Sequence, residues 1–236
     1  MYSLPQKLAA EFVGTFAVVF VSAGAICADQ FLRTLGGTGA GLGPLGIALA
    51  YGLSFGVLAA ATMPISGGHL NPAVTVGHWV TRRVGLFDML TYIVTQLAGA
   101  VLAGYLLRAL VPEDTWQAVA LGTPNLATGL TRGPGMLLEG ILTAILVFAI
   151  FGVTTDSSGV RPQIGALIAG LLLTALVLVG WPFTGAALNP ARVFGPALAS
   201  RHWANHGVYW VGPLAGGAAA AAIYDAVLSA HRSGQS

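Results

Sequence analysis

Two Asn-Pro-Ala tripeptides, Asn71-Pro72-Ala73 and Asn189-Pro190-Ala191, stand half a chain apart in a sequence of 236 residues. The chemistry they offer is hydrogen-bond donation. Asn caps a helix, and a proline behind it has no amide to satisfy in the first turn. A helix begun this way aims its positive dipole end and the carboxamide N–H groups at whatever lies in front. Arg192 follows the second tripeptide directly and adds a fixed positive charge with several donors. Glu11 and Glu139 each head an apolar run, and each is followed four residues later by a threonine, Thr15 or Thr143. Either tripeptide alone reads as an ordinary capped helix start; the pair, in apolar surroundings, reads as one site shared by two halves.

Composition says where that site sits. The chain is 56% hydrophobic and 8% charged, against roughly 25% charged for an ordinary globular domain, and its mean hydropathy is +0.79. That places it in a membrane. A net charge of +2, scattered along the chain, excludes a nucleic-acid surface. Cys27 is the only cysteine, so an intrachain disulfide and a thiolate metal cluster are excluded, and Cys27 reads as packing in the first helix. No nucleotide loop or metal-ligand spacing occurs, so neither cofactor nor metal is expected. Ser66 and His69 are close in sequence, but nothing places an oxyanion site beside them. The chain is not expected to be an enzyme.

About 20 apolar residues cross a bilayer core, and charges fence off spans near 8–28, 45–64, 88–108, 136–154, 162–180 and 207–228. The first is read as a retained helix and not a cleaved signal, because Glu11 at its head is matched by Glu139 in the second half. Two charge-free stretches, Arg33 to Arg82 and Arg161 to Arg192, are too long for a single crossing. Pro64, Gly67 and Gly68 break the first, and Gly180, Pro182 and Gly185 break the second. The tripeptides follow those breaks. Short helices over Pro72–Thr81 and Pro190–Ser200 are therefore expected to dip in without crossing.

The repeat is wider than the tripeptide. Ser66-Gly67-Gly68-His69-Leu70-Asn71 matches Thr184-Gly185-Ala186-Ala187-Leu188-Asn189, and Leu97-Ala98-Gly99-Ala100 echoes Leu214-Ala215-Gly216-Gly217. Gly99, Gly104, Gly216 and Gly217 read as points of close helix approach. The expected organisation is one domain over residues 1–236, built from repeats at about 1–111 and 133–230 joined by a loop at 112–132. Three spans per half invert the second half relative to the first, so the half-helices meet N-terminus to N-terminus near the midplane. Lys7, Arg82, Arg83, Arg161 and Arg232 fall on the side of the termini, against Arg33, Arg108, Arg132, Arg192 and Arg201 on the other. That balance leaves orientation undetermined.

Irregular backbone at membrane depth must be buried in protein or line a wet cavity. The segments 66–70 and 184–188 are expected to aim carbonyls at a file of water, with Gly67, Gly68, His69, Gly185 and Ala187 lining it. Asn71 and Asn189 would hold a central water as an acceptor, which interrupts a proton wire, while the positive helix ends oppose cations. A secondary transporter shares inverted repeats and broken helices. It would need ionisable groups at the midplane, and apart from Arg192 the corners carry only amides.

The paired corners, the extension Asn189-Pro190-Ala191-Arg192, the run Ser66-Gly67-Gly68-His69-Leu70 and the ending Tyr209-Trp210-Val211-Gly212-Pro213 resemble the aquaporin (major intrinsic protein) family over nearly the whole chain. The resemblance implies an all-α membrane protein: six transmembrane helices plus two re-entrant half-helices in an inverted repeat. It implies a homotetramer with one pore per subunit in the bilayer of the cell (plasma or inner) membrane, multi-pass, with cytoplasmic termini. Glu11 and Glu139 would brace the re-entrant loops. By register the selectivity filter maps onto Tyr51, Val177, Ala186 and Arg192, where water-selective members typically have His at the position of Val177. Val193 stands where glycerol-conducting members usually have Asp. The expected function is a passive channel for water, with small neutral solutes such as ammonia, hydrogen peroxide or glycerol as further permeants and protons and ions excluded. A glycerol facilitator of the same fold is the alternative. His69 reads as a structural histidine, with a pH gate as its alternative, and His78, His202 and His206 read as interfacial.

Overall fold

The computed structural model describes residues 2–35, 41–155 and 161–228; Arg232 and the last residues of the second expected repeat lie outside them. Six long helices are α1 (Leu4–Thr34), α2 (Gly43–Ser66), α4 (Leu86–Leu110), α6 (Arg132–Ile150), α7 (Pro162–Thr184) and α9 (Val208–Val227). Two short ones are α3 (Pro72–Val80) and α8 (Pro190–Ser200), and a further short helix, α5 (Glu113–Ala118), lies between the halves. Five of the long helices, α6 counted with the π-turn Phe151–Thr155 that continues it, are long and apolar enough to cross a membrane by length and composition alone. The sixth span, α9, is diluted by glycine and alanine, which is what lets it pack so closely against α6.

Local chemistry sets the breaks. α2 and α7 each end on a glycine in the left-handed region, Gly67 at φ 92° and Gly185 at φ 77°. α3 and α8 each start at an extended Asn whose Oδ1 accepts from the amide two residues on: Ala73 N at 2.8 Å and Ala191 N at 3.0 Å. With nine and eleven residues, these helices are about 14 and 17 Å long, half a bilayer core. They dip and do not cross, as expected from the sequence.

The packing obeys the repeat. α1 lies on α2 and α4 as α6 lies on α7 and α9. Each half-helix packs on the last span of the other half, α3 on α9 and α8 on α4, so the halves interlock. Close approach rests on missing side chains. A Cβ on Gly99 would lie 2.5 Å from the carbonyl oxygen of Phe12, and one on Gly216 would run into the carbonyl of Gly140.

Two expectations need correction. The first span is longer than 8–28, because Ser3 and Gln6 form a capping box at its start and Asp29 pairs with Arg33 at its end. The joining segment 112–132 is not a plain loop. Trp116 and Leu121 are buried in a cluster with Ala23, Cys27, Leu107 and Ala199, so burial of these apolar side chains folds the segment back into the protein.

Replacing Gly216 with Leu should separate α6 from α9, at a cost of about 1–3 kcal/mol for overpacking. Thermal unfolding in detergent should show a lowered Tm, whereas the same change at the exposed, open position Gly133 should not.

Candidate functional site

The two half-helices meet head to head through their caps. Asn71 Nδ2 donates to the Leu188 carbonyl at 2.9 Å, and Asn189 Nδ2 donates to the Leu70 carbonyl at 3.0 Å. Each carboxamide thus caps its own helix with its oxygen and grips the opposite loop with one N–H. One N–H of each Asn is committed to protein, a pairing across the halves that the sequence did not show, and the amide has a second N–H to donate. All of Asn71, Pro72, Ala73, Asn189, Pro190 and Ala191 are buried at this junction.

The loops that lead into the caps are conformationally matched. Gly67, Gly68 and Leu70 have φ of 92°, 62° and 50°; Gly185, Ala186 and Leu188 have 77°, 47° and 52°. Left-handed backbone costs a non-glycine residue roughly 1–2 kcal/mol, so Leu70, Ala186 and Leu188 must be held. Glu11 and Glu139, both 0% exposed, hold them. Glu11 accepts from Ser66 Oγ at 2.7 Å, His69 N at 3.0 Å, Leu70 N at 2.8 Å and Gln96 Nε2 at 2.8 Å. Glu139 accepts from Thr184 Oγ1 at 2.6 Å, Ala187 N at 3.0 Å and Leu188 N at 2.8 Å. Every partner is a donor, the set an ionised carboxylate requires.

Two tyrosines the sequence reading missed complete each brace. Tyr92 donates to the Ser66 carbonyl at 2.9 Å and Tyr209 to the Thr184 carbonyl at 2.8 Å. Their equivalent places just before the Leu-Ala-Gly runs were a readable signal. Gln96 has no such counterpart, because Pro213 stands in its place.

Tyr51, Val177, Ala186 and Arg192 converge at the level above the second cap. Tyr51, Val177 and Ala186 share one buried cluster. The guanidinium carbon of Arg192 lies 5.8 Å from the centroid of the Tyr51 ring. Tyr51 does more than line a wall: its hydroxyl donates to the Ala187 carbonyl at 2.6 Å. That carbonyl, expected to face a water file, is therefore satisfied by protein. Arg192 is 1% exposed, and its Nη1 donates to the Gly122 carbonyl at 2.6 Å. Gly122 was not anticipated. It closes a left-handed run of Ala120, Leu121 and Gly122, at φ 45°, 53° and 70°, and a Cβ there would lie 2.9 Å from the Ala23 carbonyl oxygen. The Nε of Arg192 has no protein partner and stays available as a donor.

Toward the termini, His69 faces Thr75, its Nδ1 3.2 Å from Thr75 Oγ1, and its ring stacks on His78 with centroids 4.2 Å apart. His78 is anchored to α3 by its Nδ1, which donates to the Val74 carbonyl at 3.0 Å. Both rings line a vestibule of about 450 Å³ that also meets Lys7, Ser66 and Tyr92. Among the described residues there is no cluster of three or more metal-ligating side chains.

A family model described as "Major intrinsic protein" matches residues 2–224. The chain belongs to the major intrinsic protein family. It is 42% identical over 227 residues to Aquaporin TIP4-4 of Zea mays, covering 95% of this chain and 87% of that protein. It is 40% identical over 223 residues to Probable aquaporin TIP3-2 of Arabidopsis thaliana, covering 92% and 81%. Among solved structures, the aquaglyceroporin from Plasmodium falciparum superposes with a TM-score of 0.79 at 24% identity, covering 95% of this chain and 97% of that one. This last likeness is one of fold: six spans plus two re-entrant half-helices.

Glu11→Gln keeps the volume but sets an N–H group against donors. It should lower stability by about 3 kcal/mol, seen as a shifted unfolding midpoint by tryptophan fluorescence in detergent. Glu139→Gln should cost less: its amide can replace the oxygen that accepts from Leu188 alone, whereas each oxygen of Glu11 serves two donors.

Proposed function

We propose that this member of the family is a passive channel that conducts water down its gradient and excludes protons and ions. The observation that carries the reading is the crossed pair of Asn71 and Asn189 between two facing helix N-termini. Each carboxamide has a second N–H beyond the bond it makes across the junction, available to a water held between the two caps. A water there is held through its oxygen, with both hydrogens turned outward, so it passes no proton along the file. The positive ends of α3 and α8, with Arg192 beyond, oppose cations. The names of the aquaporin relatives support the same substrate. Asn71, Pro72, Ala73, Asn189, Pro190 and Ala191 are assigned to the central junction, and Tyr51, Val177, Ala186 and Arg192 to the filter. Glu11 and Glu139 brace the loops 67–70 and 185–188, whose backbone lines the path. The working unit is one domain of two repeats, 1–111 and 133–230.

Filter chemistry favours a second permeant. Val177 and Ala186 are small and apolar, so Arg192 supplies most of the donors at this level, and a slim polyol or another small neutral solute meets little steric or polar resistance. Glycerol facilitation is thus the second reading, within the same pore. The reading extends to a homotetramer in the cell membrane with cytoplasmic termini. It is supported by exposed ridges spaced four residues apart, Leu45, Leu49, Leu53 and Val57 on α2 and Leu137, Ile141 and Ile145 on α6, which suit a neighbouring subunit or lipid.

Reconstituted in liposomes, the protein should raise osmotic water permeability, read as faster light-scattering change in an impermeant gradient. Permeability equal to that of empty vesicles would end the water reading. Val177→His should cut glycerol flux about tenfold while water flux stays within about twofold, because an imidazole narrows the filter and adds a donor. Arg192→Ala should instead raise glycerol flux and weaken the exclusion of small cations, measured by dye-reported cation leak.

A further inference from the structure

The turn between α8 and α9 holds a histidine for which the pore has no direct use. His206 sits among Trp203, Phe194 and Trp210, with ring centroids 4.7, 6.2 and 6.3 Å away. Trp210 Nε1 lies 2.9 Å from His206 Nε2. An indole nitrogen only donates, so Nε2 must accept and carries no proton. The ring proton is then on Nδ1, which is buried without a hydrogen-bond partner. Only the neutral ring in this one tautomer fits. A second proton would set two N–H groups against each other and leave the cation no acceptor on either side. Burial already pushes His206 below the ordinary histidine range.

The adjacent residue connects this turn to the filter. Asn205 is held in the left-handed region at φ 52°. Its Nδ2 donates to Asn125 Oδ1 at 2.9 Å, and its Oδ1 accepts from Arg132 Nε at 3.2 Å. Asn125 lies three residues beyond Gly122, whose carbonyl holds Arg192. Between them Pro124 packs on Gly185, where an added Cβ would sit 3.0 Å from the proline Cβ. A continuous set of contacts thus runs from His206 to the guanidinium. The ionisable groups around His206 are Arg201 and His202 on its own turn and Arg132 at the start of α6. α8 presents Phe194 and α9 presents Trp210, neither of which titrates here, and no carboxylate among the described residues bonds the ring to stabilise a cation.

We propose that His206 is a positioning residue for Arg192: clamped in neutral form by Trp210, it holds the turn that Asn205 ties to the Gly122 segment, and its protonation from the face opposite the termini releases the clamp and lowers water permeability. The inference rests on Arg192 forming the filter. Released from Gly122, the guanidinium is free to turn across the path it borders. The neutral ring fits the fold and the charged ring does not, so the clamp is complete near neutral pH and is lost as pH falls through the depressed value of His206.

The test is osmotic water permeability of proteoliposomes, buffered alike on both sides, from about pH 7.5 to about pH 4.5. The wild-type protein should lose at least about threefold of its permeability over this range, reversibly. In His206→Gln the amide oxygen still accepts the indole N–H but does not titrate, so permeability should stay high and flat. Trp210→Phe removes the opposing donor, so the fall should move to higher pH. A flat wild-type profile, a His206→Gln protein that keeps the fall or is impermeable at every pH, or an unmoved Trp210→Phe profile overturns the proposal. A wild-type protein impermeable at every pH defeats the water-channel reading instead.

Discussion

Two carboxylates with no exposure to solvent hold this molecule's working parts in place. Glu11 and Glu139 stand inside the helical bundle and accept from the amides of loops that would otherwise have no reason to stay bent. Burying a charge is costly unless donors surround it. Here the donors are the strained backbone groups themselves, so two unfavourable features stabilise each other. Left-handed Leu70 and Leu188 turn their carbonyls across the midplane, where the opposite asparagine takes them. Without the carboxylates the loops could relax, and the crossed bonds between caps would have no fixed acceptors.

The two halves share this design but are not equal. The first brace has four donors with Gln96, which also donates to Thr75, while proline occupies the matching place in the second half. The second half is held from outside itself instead: Tyr51 of the first half donates to the Ala187 carbonyl, and the Gly122 carbonyl of the joining segment accepts from Arg192. Symmetry therefore builds the central junction, and departures from symmetry build the surroundings of Arg192 at one end.

Interlocking makes the junction rigid. Because α3 packs on the last span of the second half and α8 on that of the first, neither half can shift without moving the half-helix of the other. Glycines at Phe12 and Gly140 carbonyls bring those spans to backbone contact, a close fit that suits packing in lipid, where no hydrophobic drive pulls helices together. The vestibule on the side of the termini is lined by the stacked His69 and His78, so polarity there is spread over two rings.

Much of this was legible in the residues alone. Proline after asparagine, glycine at helix ends and charge-free runs of excessive length located all six spans and both half-helices, because capping and burial are local rules that leave local marks. Glu11 and Glu139 betrayed themselves as charges in places where charge is expensive. What the sequence could not determine was which donor meets which acceptor across the fold. Asn71 reaching Leu188, Tyr51 satisfying a carbonyl assigned to water, and Gly122 taking Arg192 all join residues far apart in the chain, and their pairing depends on how the halves dock. The joining segment read as a loop because its buried residues, Trp116 and Leu121, are too few to show a period; only the groove between α1, α4 and α8 gave them somewhere to go.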